Sequence, residues 1–361
     1  MNARWRRVVL GTTAISVALT LSACGKAGGG DDGGDDKTIG LLLPENKTTR
    51  YETFDRPLIE GKIKKLCDDC EIKYNNATQD TEKQKKQFDA LITQGVKVII
   101  LDPVDAQATK SWVERAEKKD VKVVAYDRLA EGPISSYISY DNEKIGELQG
   151  EGLVEALGDK AKDSNVVMIN GSPTDPNAPL FKKGAHSVLD KKVKKIVYEQ
   201  DIPDWSPDEA NKKMGAAITK LGKKGFDGVY AANDGMAGGV STAMKKSGIT
   251  DVPLGGQDSE LAGLQRIIKG DQTLTIYKAI KPQAETTAEI AVNLLEDKGI
   301  EKLTPKKVDS KSEKGVPSQL FSAQVVTKDN IKDTIIKDKV YKVEQICTKA
   351  FAKACKDAGL Q

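Results

Sequence analysis

Val96-Lys97-Val98-Ile99-Ile100-Leu101, then an amphipathic stretch from Ala106 to Lys118, then Val121-Lys122-Val123-Val124-Ala125-Tyr126: this is the passage on which the fold turns. Continuous apolar runs that alternate with helical periodicity describe parallel strands covered on both faces. The same alternation extends toward the N-terminus. Strands are expected at Ile39 to Leu43 and Ile72 to Tyr74, with helices through Ile59 to Leu66 and over Thr81 to Thr93. Beyond Tyr137 to Ser139 and a helix from Asn142 to Leu157 the alternation restarts, with strands at Val166 to Ile169, Lys195 to Tyr198 and Gly228 to Ala231. The expected architecture is therefore α/β, with two doubly wound parallel-sheet lobes. The chain, 361 residues long, has room for both.

Ligands on such sheets bind outside the carboxyl ends of the strands. Those ends are unusually polar here. Asp127-Arg128, the run from Asn170 to Asp175, Asn233-Asp234, Gln257-Asp258 (after Pro253 to Gly256) and Lys278 (closing Thr273 to Tyr277) all occupy such places. Asp234 and Asn142 read as helix caps, and the other strand ends as converging on one cleft. Carboxylates, amides and cations accompanied by the aromatics Tyr51, Phe54 and Trp205 suit a sugar. Its hydroxyls both donate and accept, charged partners strengthen those bonds, and a pyranose C–H face stacks on a ring. Trp205 lies among Pro203, Asp204, Ser206 and Pro207, a loop setting that predicts exposure in the cleft.

Catalytic constellations are scarce. The single histidine, His186, falls inside an expected helix, and no nucleophile elbow, dinucleotide fingerprint or phosphate loop is present. Neither a cofactor nor a metal is expected. A cleft glycosidase using Asp175 and Asp258 is the alternative from another class.

The N-terminus carries an address. Arg4, Arg6 and Arg7 precede an apolar stretch from Val8 to Leu21 and then Leu21-Ser22-Ala23-Cys24, which reads as a lipoprotein signal with Cys24 as the lipidated residue after cleavage. About 14 apolar or small residues fall short of the roughly 20 that span a bilayer. The paired arginines also leave export by the twin-arginine route open. Gly25 to Asp36, mostly glycine and aspartate, reads as a tether. Loss of the three signal arginines brings the formal charge of +3 to zero, so nucleic-acid binding is not expected. Outside the cytoplasm, Cys67 with Cys70 and Cys347 with Cys355 are expected as two local disulfides, ahead of a redox pair, a zinc site or reduced thiols.

These residues resemble a known family, the xylose-binding lipoproteins and periplasmic proteins of bacterial ABC sugar importers. The resemblance spans essentially the whole mature chain. It rests on Thr49-Arg50-Tyr51, Leu101-Asp102-Pro103, Ala125-Tyr126-Asp127-Arg128, Ile138 to Lys144, Asn170 to Asp175, Asp204-Trp205, Ala232-Asn233-Asp234, Gly256-Gln257-Asp258 and Ile276-Tyr277-Lys278. It implies a type I periplasmic-binding-protein fold whose lobes are joined by a three-stranded hinge, with a monosaccharide held between them. The implied sugar ligands are Arg50, Arg128, Asp175, Asn177, Trp205, Asn233, Asp258 and Lys278, with Tyr51 standing where some members carry tryptophan.

The implied organisation is a signal peptide (1–23), a tether (24–36), a first lobe (37–141 plus 281–317) and a second lobe (142–280 plus 318–361). The implied role is that of a monomeric, non-enzymatic receptor, lipid-anchored on the outer face of the cell membrane. It would capture D-xylose, or else glucose, galactose, arabinose or ribose, and deliver it to an ABC permease and its ATPase. A sugar sensor on the same fold is the nearer alternative.

Overall fold

A computed structural model describes residues 37–360. The expected signal, Cys24 and the tether lie outside the described residues. The chain begins with β1 (Thr38–Leu43), α1 (Arg56–Leu66), β2 (Glu71–Asn76), α2 (Thr81–Thr93), β3 (Val98–Leu101), α3 (Lys110–Glu117), β4 (Lys122–Tyr126) and β5 (Ser136–Tyr140). Next come α4 (Asn142–Leu157), β6 (Asn165–Asn170), α5 (Asn177–Lys192), β7 (Lys195–Asp201), α6 (Pro207–Leu221), β8 (Gly228–Ala231), α7 (Asp234–Lys246), α8 (Leu261–Lys269) and β9 (Leu274–Lys278). It continues through α9 (Ile280–Leu295), β10 (Lys306–Val308), β11 (Val316–Phe321) and β12 (Ala323–Thr327).

One sheet has seven strands in the order β10-β11-β5-β4-β3-β1-β2, and only β10 runs antiparallel to its neighbour. Apolar residues point to both of its faces. Leu41, Val98, Ile100 and Val124 pack with α1 and α9 on one side. Leu42, Ile99, Leu101 and Val123 meet Phe88, Leu91 and Trp112 of α2 and α3 on the other. The second half is built on the parallel sheet β7-β6-β8 and the antiparallel pair β12-β9, which share one core. The chain passes between the halves at Asp141, Ala279 and Ser322. The Asp141 amide donates to the Phe321 carbonyl at 3.2 Å, tying the first and third passages together.

Local chemistry starts the helices where the strands stop. Asp80, Asp141, Ser206 and Asn233 each accept a hydrogen bond from a first-turn amide of α2, α4, α6 and α7. Helices α4 and α5 approach at backbone distance. A Cβ on Gly146 would lie 2.0 Å from the Phe181 carbonyl oxygen, and one on Gly184 would lie 2.0 Å from that of Glu143. Glycine at both crossing points lets the N-termini of the two helices sit side by side.

Two segments differ from expectation. The helix expected from Ala106 begins at Lys110, after a tight turn that Asp105 holds by accepting the amides of Gln107 and Ala108. Pro253 to Gly256 adds only an isolated bridge between Leu254 and Val229. Cys67 pairs with Cys70 at the end of α1, and Cys347 pairs with Cys355 near the carboxyl end, with Cα separations of 5.3 and 5.8 Å. No helix among the described residues is long and apolar enough to cross a membrane.

Candidate functional site

The strand ends of both halves meet around one small cavity. The segment after β1 brings Thr48, Arg50 and Tyr51, and the end of β4 brings Asp127 and Arg128. From the second half come Asp175, Asn177 and Phe181 around the start of α5, Trp205 after β7, Asn233 after β8, Gln257 and Asp258 before α8, and Lys278 at the end of β9. A larger, mostly apolar groove lies alongside and contains none of Arg50, Arg128, Asp258 and Lys278.

Arg50 is held on three sides. Its Nε and Nη2 donate to the two Asp55 oxygens at 3.0 and 2.6 Å, Nη1 donates to Asp127 at 3.0 Å, and Nη2 also reaches Gln283 Oε1 at 2.8 Å. Asp127 further accepts from Gln283 Nε2 and from the Tyr51 hydroxyl. Burial alone would raise its carboxyl, but Arg50, then Lys278 and Arg128, outweigh burial and hold it at about 2. Asp127 is thus an anion at neutral pH despite its burial.

Arg128 faces the other half. Its Nε lies 2.8 Å from Asp175 and 3.5 Å from Asp102, while its Nη groups donate to the Pro103 carbonyl and the Tyr51 hydroxyl at 3.2 and 3.3 Å. Asp175 also accepts the Asn177 amide at 2.8 Å and the Trp205 indole at 3.1 Å. Its carboxyl stays above the usual range because burial exceeds what Arg128 recovers. Lys278 pairs with Asp258 at 2.7 Å and lies 5.7 Å from the ring centres of both Tyr140 and Phe181. Asn177 bridges the halves, donating to the Asp127 carbonyl at 3.1 Å and accepting from Asn142 at 2.8 Å.

All nine residues named from the sequence as sugar ligands therefore line one cavity. Four assignments change. Trp205 is only 5% exposed, with its indole donating to Asp175 and its ring edge-on to Phe181, so it forms a buried wall. That wall needs Gly171, since a Cβ there would lie 2.2 Å from the indole. Phe54 does not line the cavity and packs edge-on against Tyr341 instead. The caps are Asp141 and Asn233, not Asn142 and Asp234. The fully buried Asp234 carboxylate accepts from the Glu260 amide, Gln272 and Thr275, which pins the loop carrying Asp258.

Thr48 and Phe181 escaped the sequence reading. Phe181 stands one helical turn after Asn177, so the helix period was the available signal. Thr48 sits in an irregular segment with no such pattern.

Two half-molecules closing strand ends over a small polar cavity define a two-lobed solute-binding protein. The chain belongs to the periplasmic binding protein family, whose domain model matches residues 39–299. It is 37% identical over 314 residues to the D-xylose-binding periplasmic protein of Escherichia coli (strain K12), covering 85% of this chain and 92% of that one. The D-xylose-binding periplasmic protein of Haemophilus influenzae is 33% identical over 317 residues, covering 86% and 92%. A carbohydrate transporter solute-binding protein from Chloroflexus aurantiacus, solved in complex with D-glucose, superposes with a TM-score of 0.76 at 25% identity over 85% of this chain and 97% of that one.

Proposed function

We propose that this protein captures a monosaccharide, D-xylose first among candidates, and hands it unchanged to an ABC permease powered by a separate ATPase. The observation that carries the reading is the composition of the cavity. Fixed cations and carboxylates from both halves surround one small space flanked by the rings of Tyr51, Phe181 and Trp205.

Each polar group has a part. Arg128 and Lys278 donate to ring or hydroxyl oxygens, and Asp175 and Asp258 accept hydroxyl protons. Asn233 spends its oxygen on capping α7 and has its amide nitrogen to offer. Tyr51, Trp205 and Phe181 supply apolar surface for C–H faces. A sugar with a missing or inverted hydroxyl leaves one of these buried groups unpaired, at about 1–3 kcal/mol each. Because the contacts come from both halves, sugar favours the closed arrangement over an open one. Asp175 and Asp258 are both ion-paired, which favours binding over hydrolysis.

Anchoring through a lipid on Cys24 and action as a monomer belong to the same proposal, as do lobe limits at Asp141, Ala279 and Ser322; the last lies beyond the expected Pro317 because β11 pairs into the first sheet. Calorimetry against D-xylose, glucose, galactose, arabinose and ribose tests it. D-Xylose is expected to bind tightest, and absence of heat with every sugar would overturn the assignment.

A further inference from the structure

We infer that Glu260 is a positioning residue that latches the two halves together, and that its carboxyl takes up a proton as they close. The inference rests on the sugar-receptor reading, in which the halves open and close.

Glu260 immediately precedes α8 in the second half, and its Oε1 accepts the backbone amide of Thr49 at 3.1 Å, 211 residues away in the first half. Thr49 lies between the cavity residues Thr48 and Arg50, and its own carbonyl accepts from Thr53 in the opening turn of the helical segment that follows. An amide at the start of a helix has no partner within that helix, so the Glu260 carboxyl caps a helix belonging to the opposite half. Phe54 closes over the same place, its ring 5.5 Å from and edge-on to Tyr341 of the second half. Glu260 is left 7% exposed.

The charges around it are unfavourable to an anion. Asp234 and Asp258 face it from the second half, with Arg266 on α8 and the hydroxyl of Tyr341. Asp258 is paired with Lys278, and Arg266 is occupied by the Asp234 carbonyl and Gln272. On the first-half side Arg50 is committed to Asp55 and Asp127, and Glu45 is a further buried acid bonded to the Thr48 amide. No cation forms an ion pair with Glu260 among the described residues. Burial, then Asp234, push its carboxyl up to about 8.

When the halves part, Thr49 and Phe54 leave with the first half, and a wetted Glu260 returns toward its ordinary 4.5. The side-chain partners of Asp234, namely Gln272, Thr275 and Arg266, all belong to the second half, so Asp234 keeps them whether the protein is open or closed. A protonated Glu260 still accepts the Thr49 amide through its carbonyl oxygen. Closure therefore binds a proton between the two values, and sugar affinity falls as pH rises through that window, by at most about tenfold per pH unit.

Calorimetry with D-xylose from pH 5.5 to 8.5, in buffers of differing protonation heat, tests the latch. The wild type is expected to take up a proton near pH 7 and to lose at least about tenfold in affinity between pH 5.5 and 7.5. Glu260→Gln keeps the acceptor oxygen and is expected to flatten the profile and remove that proton. Phe54→Ala, which wets the latch without touching the cavity, is expected to shrink the slope. An unchanged slope and proton count in both variants overturn the latch. If no monosaccharide gives heat at any pH, the sugar reading has failed, and small-angle scattering of the sugar-free protein decides the latch alone. Expansion from pH 6 to 9 in the wild type but not in Glu260→Gln supports it, and identical profiles overturn it.

Discussion

Arg50 and Arg128 meet the same cavity from the ends of β1 and β4, and the protein holds them in opposite ways. Arg50 gives four hydrogen bonds to Asp55, Asp127 and Gln283, all on the side of the seven-stranded sheet. Its work is largely finished within the protein. Arg128 has two long hydrogen bonds of 3.2 and 3.3 Å, and its closest charge is Asp175 on the opposite half. Its donors have the spare capacity a guest requires. One arginine builds the wall, and its neighbour reaches across to the other half and to the ligand.

Removing each arginine separates those roles. Arg50→Ala strands two buried carboxylates, Asp55 and Asp127, and removes the cation that holds Asp127 ionised against burial, so about 3–5 kcal/mol of stability is expected to vanish in chemical denaturation. Arg128→Ala is expected to cost less than half of that, because the carboxyls it leaves, Asp102 and Asp175, already lean toward protonation through burial. It is expected instead to weaken D-xylose by about 10–100-fold in calorimetry, the scale of a lost hydrogen bond to a charged group. Equal stability losses in the two variants would erase the contrast.

Acid sharpens the same comparison. A carboxyl held at about 2 when folded contributes stability that is complete above its unfolded value near 3.9 and fades as pH falls through 2. Wild-type melting is therefore expected to lose about 2–3 kcal/mol between pH 5 and 2 that Asp127→Asn does not lose. The smallest effect concerns the wall. Trp205→Phe keeps most of the apolar surface but gives up the indole bond to Asp175, worth about 0.5–1.5 kcal/mol of affinity. It is also expected to abolish any sugar-dependent change in tryptophan emission, since Trp112 is packed in the core beneath the first sheet.

How legible the molecule was depended on distance along the chain. Apolar runs such as Val98–Leu101 and the period of α2 over Thr81–Thr93 are local signals, and the elements stand close to where those signals put them. Polar residues directly after strands were readable as cavity residues because chain direction in a parallel sheet places those ends together. What failed was the division of labour between neighbours. Asp141 rather than Asn142, and Asn233 rather than Asp234, took the caps, a choice made by one-residue differences in backbone angle. Phe54 and Trp205 both looked like stacking rings, yet of the two Trp205 alone lines the cavity, held there by Asp175, while Phe54 found Tyr341.

By itself the sequence determined the alternating elements, the parallel direction of the sheets and the chemical character of the strand ends, because periodicity and burial act over a few residues. Only the tertiary structure decided which polar groups are spent on the protein and which remain for a guest. Arg50 meets Gln283 across 233 residues, and Thr49 meets Glu260 across 211. Hydrogen bonds saturate, so a group's availability depends on partners that only the folded chain brings within 3 Å or so.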